Sequence, residues 1–351
     1  MLLIRDADIQ TAMAGVDIIP ELERLLARPG ENALELPPRL TINDRLGGFL
    51  RMMPAICYGL GYSGVKTMNL HPQQGVRYLI QLIRIEDGAT VALLDANWIT
   101  AYRTAAAAAI AAKHLRPPSV ETIVVIGSGV QARALIDATL QVVPAKRLVI
   151  CSPTAANRER LAADVAGRLP DVQVTAAAAS PDVVGAADIV LSGYRAKSTP
   201  VVFADALKPG ALVCGISSVR PQHREVDVSV WRSSRVVADD IEHVLGSGDG
   251  MVAAEAGLTG HDRLVELWQV LRDPALGRRS ADETVLYKSV GTAEQDIALA
   301  SIVFDHVSAR GLGQDLGAFP DLRPIQSERD RQAIGASAAT QSAQPKERTP
   351  A

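Results

Sequence analysis

The chain has 351 residues, a formal net charge of −3, 48% hydrophobic residues and 21% charged residues. That length suggests two domains or one large one, and the apolar content suffices for a sizeable core. The near-neutral charge leaves no electrostatic footprint for nucleic acid or an anionic membrane.

From the N-terminus, Met1 to Ile4 reads as a short apolar strand, followed by an amphipathic helix ending near Pro29-Gly30. No basic segment precedes an apolar one there, and no window is apolar enough to span a bilayer, so neither a signal peptide nor a transmembrane helix is expected. Cys57, Cys151 and Cys214 show no CxxC or metal-ligand spacing. They read as reduced core thiols of a cytoplasmic protein without a metal centre.

Residues 31–94 look mostly β. Short apolar runs are broken by glycine, Val76 to Ile85 alternates with period two, and Asp87-Gly88 marks a hairpin turn before Thr90 to Leu94. A long alanine-rich helix follows, about Trp98 to Leu115, closed by Pro117-Pro118. Thr100, Arg103, Thr104 and Ala107 share one face of it. An arginine and a threonine there suit a ligand, although spacing alone favours a solvated arginine.

From 122 to about 240 strands and helices alternate. Strands are expected at 122–126, 147–151, 172–175, 188–192, 211–216 and 235–239, with helices near 130–143, 155–168 and 222–232. This rhythm specifies a doubly wound, mostly parallel sheet with its ligand over the strand C-termini. Those ends carry Gly127, Ser152, Ser192-Gly193 and Ile216-Ser217-Ser218. Beyond 240 come a helical segment, the run Glu283 to Gly291, and a helix from about Ala293 to Arg310. Residues 328–351 lack periodicity and read as a disordered tail.

The most informative stretch is Thr122-Ile123-Val124-Val125-Ile126 followed by Gly127-Ser128-Gly129-Val130-Gln131-Ala132. A buried strand, a glycine turn and a helix start form the context in which G-x-G-x-x-G/A signifies a dinucleotide-binding Rossmann turn. Gly127 allows the tight turn. Gly129 lets the backbone approach a pyrophosphate seated on the helix N-terminus, at Val130 and Gln131. The alternative is a turn whose glycines serve packing alone. The second strand ends Cys151-Ser152-Pro153-Thr154, with no carboxylate between Arg147 and Asn157 to hold a ribose 2′-hydroxyl. Ser152, Thr154 and Arg158 instead suit a 2′-phosphate, so NADP(H) is favoured, with NAD(H) possible.

Several stretches together resemble the ornithine cyclodeaminase/mu-crystallin family. They are Pro38-Arg39, Met53-Pro54-Ala55, Gly64-Val65-Lys66 with Asn69 and His71-Pro72, Ile99 to Ala106, the glycine turn, Arg220-Pro221 with Arg224-Glu225, and Lys288-Ser289-Val290-Gly291. The resemblance runs from about residue 35 to 315. It implies a homodimer. Each subunit would combine an α+β substrate-binding and dimerisation domain, 1–115 plus 292–327, with an inserted Rossmann domain, 116–291. By carry-over onto matching positions, Arg39, Lys66 and Arg103 surround a substrate carboxylate, and Lys66 is the catalytic proton relay. Carboxylate capture by arginine and proton transfer by a buried lysine fit that assignment chemically. The cofactor set becomes Arg103, Thr104, Gly127, Gly129, Val130, Gln131, Ser152, Thr154, Arg158, Ser192, Val219 and Ser289.

Two departures from the family's cyclodeaminases bear on function. Their aspartate in a Gly-Asp-Cys-Pro run is replaced by Val219, and their glutamate before Leu-Met-Pro by Arg51, here a substrate-site residue. Valine accepts no proton, and arginine repels a cationic diamine. The expected activity is therefore an NAD(P)H-dependent oxidoreduction at a C–N bond. It would reduce a small-molecule 2-imino acid to an L-amino acid, or run in reverse as an amino-acid dehydrogenase. The alternatives are an ornithine or lysine cyclodeaminase using bound NAD, and a crystallin-like nucleotide-dependent binding protein.

Overall fold

Two β-sheets, each of eight strands among the described residues, organise the chain. The computed structural model describes residues 1–27, 34–194, 198–217, 219–260, 262–323 and 332. Met1–Asp315 form one compact unit and Leu316–Ala351 another. Nearly all of the expected tail, 328–351, lies outside the described residues.

The first part of the chain contributes β1 (Leu2–Ile4), α1 (Asp6–Met13), α2 (Ile19–Leu26), β2 (Leu34–Glu35), β3 (Leu40–Asn43), β4 (Phe49–Cys57), β5 (Tyr62–His71), β6 (Gly75–Arg84), β7 (Thr90–Asp95) and α3 (Asn97–Leu115). The middle contributes β8 (Thr122–Ile126), α4 (Val130–Val142), β9 (Arg147–Cys151), α5 (Ala155–Arg168), β10 (Gln173–Ala177), α6 (Pro181–Gly185), β11 (Ile189–Ser192), β12 (Leu212–Gly215), α7 (Val228–Ser233) and β13 (Arg235–Ala238). Then follow α8 (Ile241–Leu245), α9 (Gly248–Glu255), β14 (Leu264–Glu266), α10 (Leu267–Arg272), β15 (Val285–Lys288), α11 (Ala293–Ala309) and β16 (Gln314–Asp315).

The first sheet runs β16-β1-β7-β6-β5-β4-β2, with β3 also on β4. Its long strands pair antiparallel, and β1 pairs parallel with β7. One face is buried: Met53, Ala55, Ile80, Leu82, Ala92 and Leu94 belong to the core that also contains α3 and α11. The N-terminal segment departs from expectation, since two short helices replace one long one. Gly15 takes a φ of 74° after α1, and Pro20 sits in the first turn of α2, where its fixed φ favours a helix start.

The second sheet runs β10-β9-β8-β11-β12-β15-β13-β14, all parallel. The three strands β8, β9 and β10 step outward, then the order reverses to β11 on the other side of β8. This is the doubly wound arrangement, with its switch point at the C-terminal ends of β8 and β11. Two details correct the sequence reading. The helix expected at 222–232 begins only at Val228, capped by Asp227, whose side chain accepts from Ser229 N. And β15, far along the chain, lies between β12 and β13, a pairing that local pattern cannot announce.

Helix α3 is buried from Ile99 nearly to its end. Its alanines leave little side-chain bulk, so α11, α2 and α4 pack close around it. Arg103 is therefore drawn into the core instead of lying on a solvated face.

Candidate active site

The glycine turn sits at the switch point. Gly127 takes a φ of +134°, and a Cβ there would lie 2.7 Å from the Gly193 carbonyl oxygen. Its N–H donates to Cys151 O at 2.7 Å. The turn is thus wedged between the ends of β9 and β11, and glycine is required at 127 for geometry as well as for φ. Gly129 is the N-cap of α4 and supplies no side-chain cap, so the helix's first N–H groups stay available to an anion. A Cβ on Gly129 would meet nothing within 4 Å, and Val130 beside it is 71% exposed. Two buried polar atoms, Ser192 Oγ and Gln131 Oε1, have no hydrogen-bond partner among the described residues. Open space, free donors and unpaired polar atoms fit a dinucleotide.

At the end of β9, Ser152 Oγ accepts from Ser128 Oγ at 3.0 Å, and Arg158 Nη1 donates to Ser152 O at 2.9 Å. Thr154 is the N-cap of α5, and its hydroxyl caps nothing. The structure therefore brings Ser152, Thr154 and Arg158 to one corner, with Arg158 folded back over the strand end.

The second cluster lies on the buried face of the first sheet. Lys66 Nζ, 1% exposed on β5, donates to Asp296 Oδ1 at 2.9 Å. Arg103 Nε donates to the same oxygen at 2.9 Å, and Arg103 Nη1 donates to Gln295 Oε1 at 2.9 Å. Asp296, 0% exposed near the start of α11, keeps Oδ2 without a hydrogen-bond partner among the described residues. Gly64 makes this junction possible. A Cβ there would collide with the Gln81 carbonyl and lie 2.6 Å from the Ile297 side chain, so glycine lets α11 approach β5 and deliver Asp296 to Lys66.

Burial pushes the Lys66 ammonium down to about 8; attraction to Asp296 opposes this, while the charges of Arg103 and Arg39 add to it. The Nζ also sits 5.2 Å from the Tyr78 ring centroid. A lysine in that range exchanges a proton near neutral pH, which a solvated lysine does not.

Arg39 completes the group. Its Nη2 donates to Gly291 O at 2.9 Å, and the turn after β15 is held in turn by Asp239. That carboxylate accepts from Ser289 Oγ at 2.7 Å, Gly291 N at 2.6 Å and Val290 N at 3.1 Å. Burial lowers the Arg39 guanidinium below its ordinary range, opposed by Asp239. Arg51 donates from Nε to Thr41 Oγ1 at 2.9 Å and packs over the Phe49 ring. Arg39, Arg51 and Val219 line one cavity of about 590 Å³.

The structure thus gathers Arg39, Lys66 and Arg103, with Arg51 and Val219 at the adjoining cavity. It separately gathers Gly127, Gly129, Val130, Gln131, Ser152, Thr154, Arg158 and Ser192 around the turn. Thr104 Oγ donates to Thr100 O at 2.7 Å, and the Ser289 hydroxyl is committed to Asp239. Among the described residues no group of three His, Cys, Asp or Glu is placed to hold a metal.

Sequence reasoning missed Asp296 and Asp239. Asp296 stands with Glu294 in the first turn of α11, where acidic residues ordinarily complement the helix dipole. The one available signal was that the rest of α11, Ile297 to Phe304, is almost wholly apolar, so its start had to be buried as well. Asp239 follows a strand and carried no signal. Behind the site Lys288 Nζ contacts Glu225 at 2.6 Å and Asp249 at 3.2 Å. Glu225 also accepts from Ile216 N and Ser217 N, fixing the loop that leads to Val219.

A parallel sheet with an open glycine turn at its switch point defines a dinucleotide-binding α/β protein, and its other sheet carries a buried lysine–carboxylate–arginine cluster. The chain belongs to the ornithine cyclodeaminase/mu-crystallin family, whose model matches residues 1–311. It is 30% identical to the ketimine reductase mu-crystallin of Mus musculus over 305 residues, 83% of this chain and 92% of that protein. The structure of Thermococcus litoralis Δ1-pyrroline-2-carboxylate reductase, in complex with NADH and L-proline, superposes with a TM-score of 0.83 at 25% identity, covering 90% of this chain and all of that one. An archaeal alanine dehydrogenase dimer with bound NAD gives a TM-score of 0.80 at 25% identity over 91% of this chain and 99% of that one.

Proposed function

We infer that this chain is an NAD(P)H-dependent oxidoreductase acting at a C–N bond, reducing a 2-imino acid to an L-amino acid or catalysing the reverse dehydrogenation. The observation that carries the reading is the sharing of Asp296 Oδ1 by Lys66 and Arg103 in a buried site beside Arg39. Arg39 and Arg103 orient the substrate carboxylate, which places the neighbouring nitrogen-bearing carbon at Lys66. Lys66, its affinity for protons lowered to about 8, supplies the proton that the product nitrogen needs, or removes it in reverse. Asp296 holds the ammonium in place, and its free Oδ2 accepts from the substrate N–H. The nicotinamide, when bound, supplies or takes the hydride at the α-carbon. The absence of an acidic side chain at Val219 and the positive Arg51 weigh against cyclodeamination of a diamine.

The corner of Ser152, Thr154 and Arg158 supports NADP(H) as the preferred cofactor, with NAD(H) accepted. The domain division expected from sequence, with 116–291 inserted between the two parts of the substrate domain, is supported by the way the strands of the two sheets fall along the chain. A homodimer is supported by the outer face of the first sheet, which presents the exposed apolar side chains of Leu50, Ile56 and Leu79 on one side. Among the described residues no helix is long and apolar enough to cross a membrane. The three buried free thiols suit a reducing compartment such as the cytoplasm.

The test is oxidation of NADPH and NADH by the purified chain with a panel of imines. The panel comprises 2-oxo acids with ammonia or methylamine, and cyclic pyrroline- and piperideine-2-carboxylates. Stoichiometric substrate-dependent oxidation is expected. Ammonia release from ornithine without net cofactor change would establish the cyclodeaminase instead, and binding without turnover the crystallin-like alternative. Light scattering of the eluting protein measures the assembly.

A further inference from the structure

We propose that the substrate carries a second carboxylate: the site takes a 2-imino or 2-amino dicarboxylate, an aspartate- or glutamate-like skeleton, and the side-chain carboxylate lies between Arg51 and Arg220. This deepens the reading above and rests on it for the placement of the α-carboxylate.

Arg39, Arg51 and Arg220 line the same cavity of about 590 Å³, and among the described residues the one carboxylate in its wall is that of the exposed Glu242. Arg51 and Arg220 stand over the same Phe49 ring, their guanidinium carbons 5.1 and 5.4 Å from its centroid. Like charges gathered on one ring repel. Burial, then Arg39, then Arg220 hold the Arg51 guanidinium down to about 10. No described carboxylate forms an ion pair with Arg39, Arg51 or Arg220. An arrangement that disfavours itself in the free protein is relieved by an anion between the guanidiniums.

A single α-carboxylate does not account for all of this charge. Arg39, Lys66 and Arg103 already face it, with Asp296 balancing one of them and Asp239 and Asp240 attracting Arg39. The cofactor's phosphates do not account for it either. The glycine turn and the Ser152–Arg158 corner supply their own donors, and neither contributes to the wall of this cavity.

The sheet register fixes the distance. Lys66 pairs directly with Met53 across β4 and β5, and Arg51 lies two residues from Met53 on the same face. Lys66 and Arg51 are therefore diagonal neighbours, separated by about 7–8 Å at the backbone. Long side chains on such a diagonal hold the two ends of one short molecule. A bidentate arginine distinguishes a carboxylate from the neutral amide or methyl of the same size, because those leave the guanidinium unpaired.

The full-length chain with NADPH is assayed against imines formed from oxaloacetate and 2-oxoglutarate with ammonia, beside those from pyruvate and 2-oxobutyrate. Dicarboxylates are expected to show at least tenfold higher kcat/KM. R51M and R220M should reduce that value for dicarboxylates at least tenfold more than for monocarboxylates. Equal or better turnover of monocarboxylates by the wild type would overturn the proposal and leave the reductase reading intact. So would an R51M loss equal for both classes, which would mean that Arg51 grips the sole carboxylate. A second readout does not need turnover: succinate should raise the Tm of the NADP+-bound chain more than butyrate, and R51M should abolish the difference. If no imine oxidises either cofactor, the reductase reading fails, and the Tm comparison alone decides: a succinate-specific shift lost in R51M upholds the dicarboxylate site, and no such shift overturns it.

Discussion

Replacing Asp296 by asparagine keeps the shape of the buried cluster and removes one charge. Asp296 Oδ1 lies 2.9 Å from both Lys66 Nζ and Arg103 Nε. At an effective dielectric of about 20 a unit-charge contact near this range is worth roughly 4 kcal/mol. The amide oxygen of asparagine still accepts from Nζ and retains part of that. The remaining loss is at least about 1.4 kcal/mol, equivalent to one pKa unit. Asp296 is the chief influence holding the Lys66 ammonium up against burial, so its removal moves Lys66 further below about 8. Imine reduction needs protonated Lys66 and is lost as pH rises through its pKa, so the falling limb of kcat/KM against pH, which reports the free enzyme and lies near 8 in the wild type, should appear at least one unit lower in D296N. The reverse dehydrogenation needs neutral Lys66, and its rising limb should move down by the same amount. The assay is kcat/KM for both directions across pH 5–10, with the Tm of each protein measured alongside to exclude unfolding. Limbs that stay in place while kcat drops would refute the coupling and assign Asp296 a purely structural role. An unchanged kcat and profile would remove Lys66 from the proton transfer altogether.

Gly129→Val should weaken cofactor binding tenfold or more, roughly 1.4 kcal/mol, and leave Tm nearly unchanged, because a Cβ at 129 meets no protein atom within 4 Å and the local φ of −90° suits any residue; cofactor titration of the folded variant checks this. Ser152→Asp should move preference toward NADH, since a carboxylate at the end of β9 repels a 2′-phosphate and accepts from a 2′-hydroxyl; the ratio of kcat/KM for the two cofactors is the measure. Lys66→Met should lower kcat as well as kcat/KM by one to two decades or more, with cofactor affinity little changed, consistent with loss of a charge-assisted contact of about 1.5–3 kcal/mol plus the proton donor. Wild-type protein with L-ornithine and NAD should release no ammonia above background, because Val219 offers no carboxylate to the amine.

The parts of this protein readable in its sequence are those written locally. The β8–glycine turn–α4 unit, the alternation from 122 to 192, the hairpin at Asp87-Gly88 and the helix closed by Pro117-Pro118 follow from side-chain period, glycine φ and proline's missing N–H. Resemblance over spaced motifs added Arg39, Lys66 and Arg103, which no period marks. The tertiary structure alone decided the rest, because it depends on chain segments that meet only after folding. Asp296 reaches Lys66 from 230 positions away, by way of a helix whose polar start looks like ordinary capping. Strand β15 enters between β12 and β13 and carries Gly291 to Arg39. Arg51 from β4 and Arg220 from the loop after β12 converge on the Phe49 ring. Local sequence sets which groups can form a strand, a turn or an ion pair; which buried charges share one carboxylate is set by packing, since desolvation acts on whatever the fold brings together.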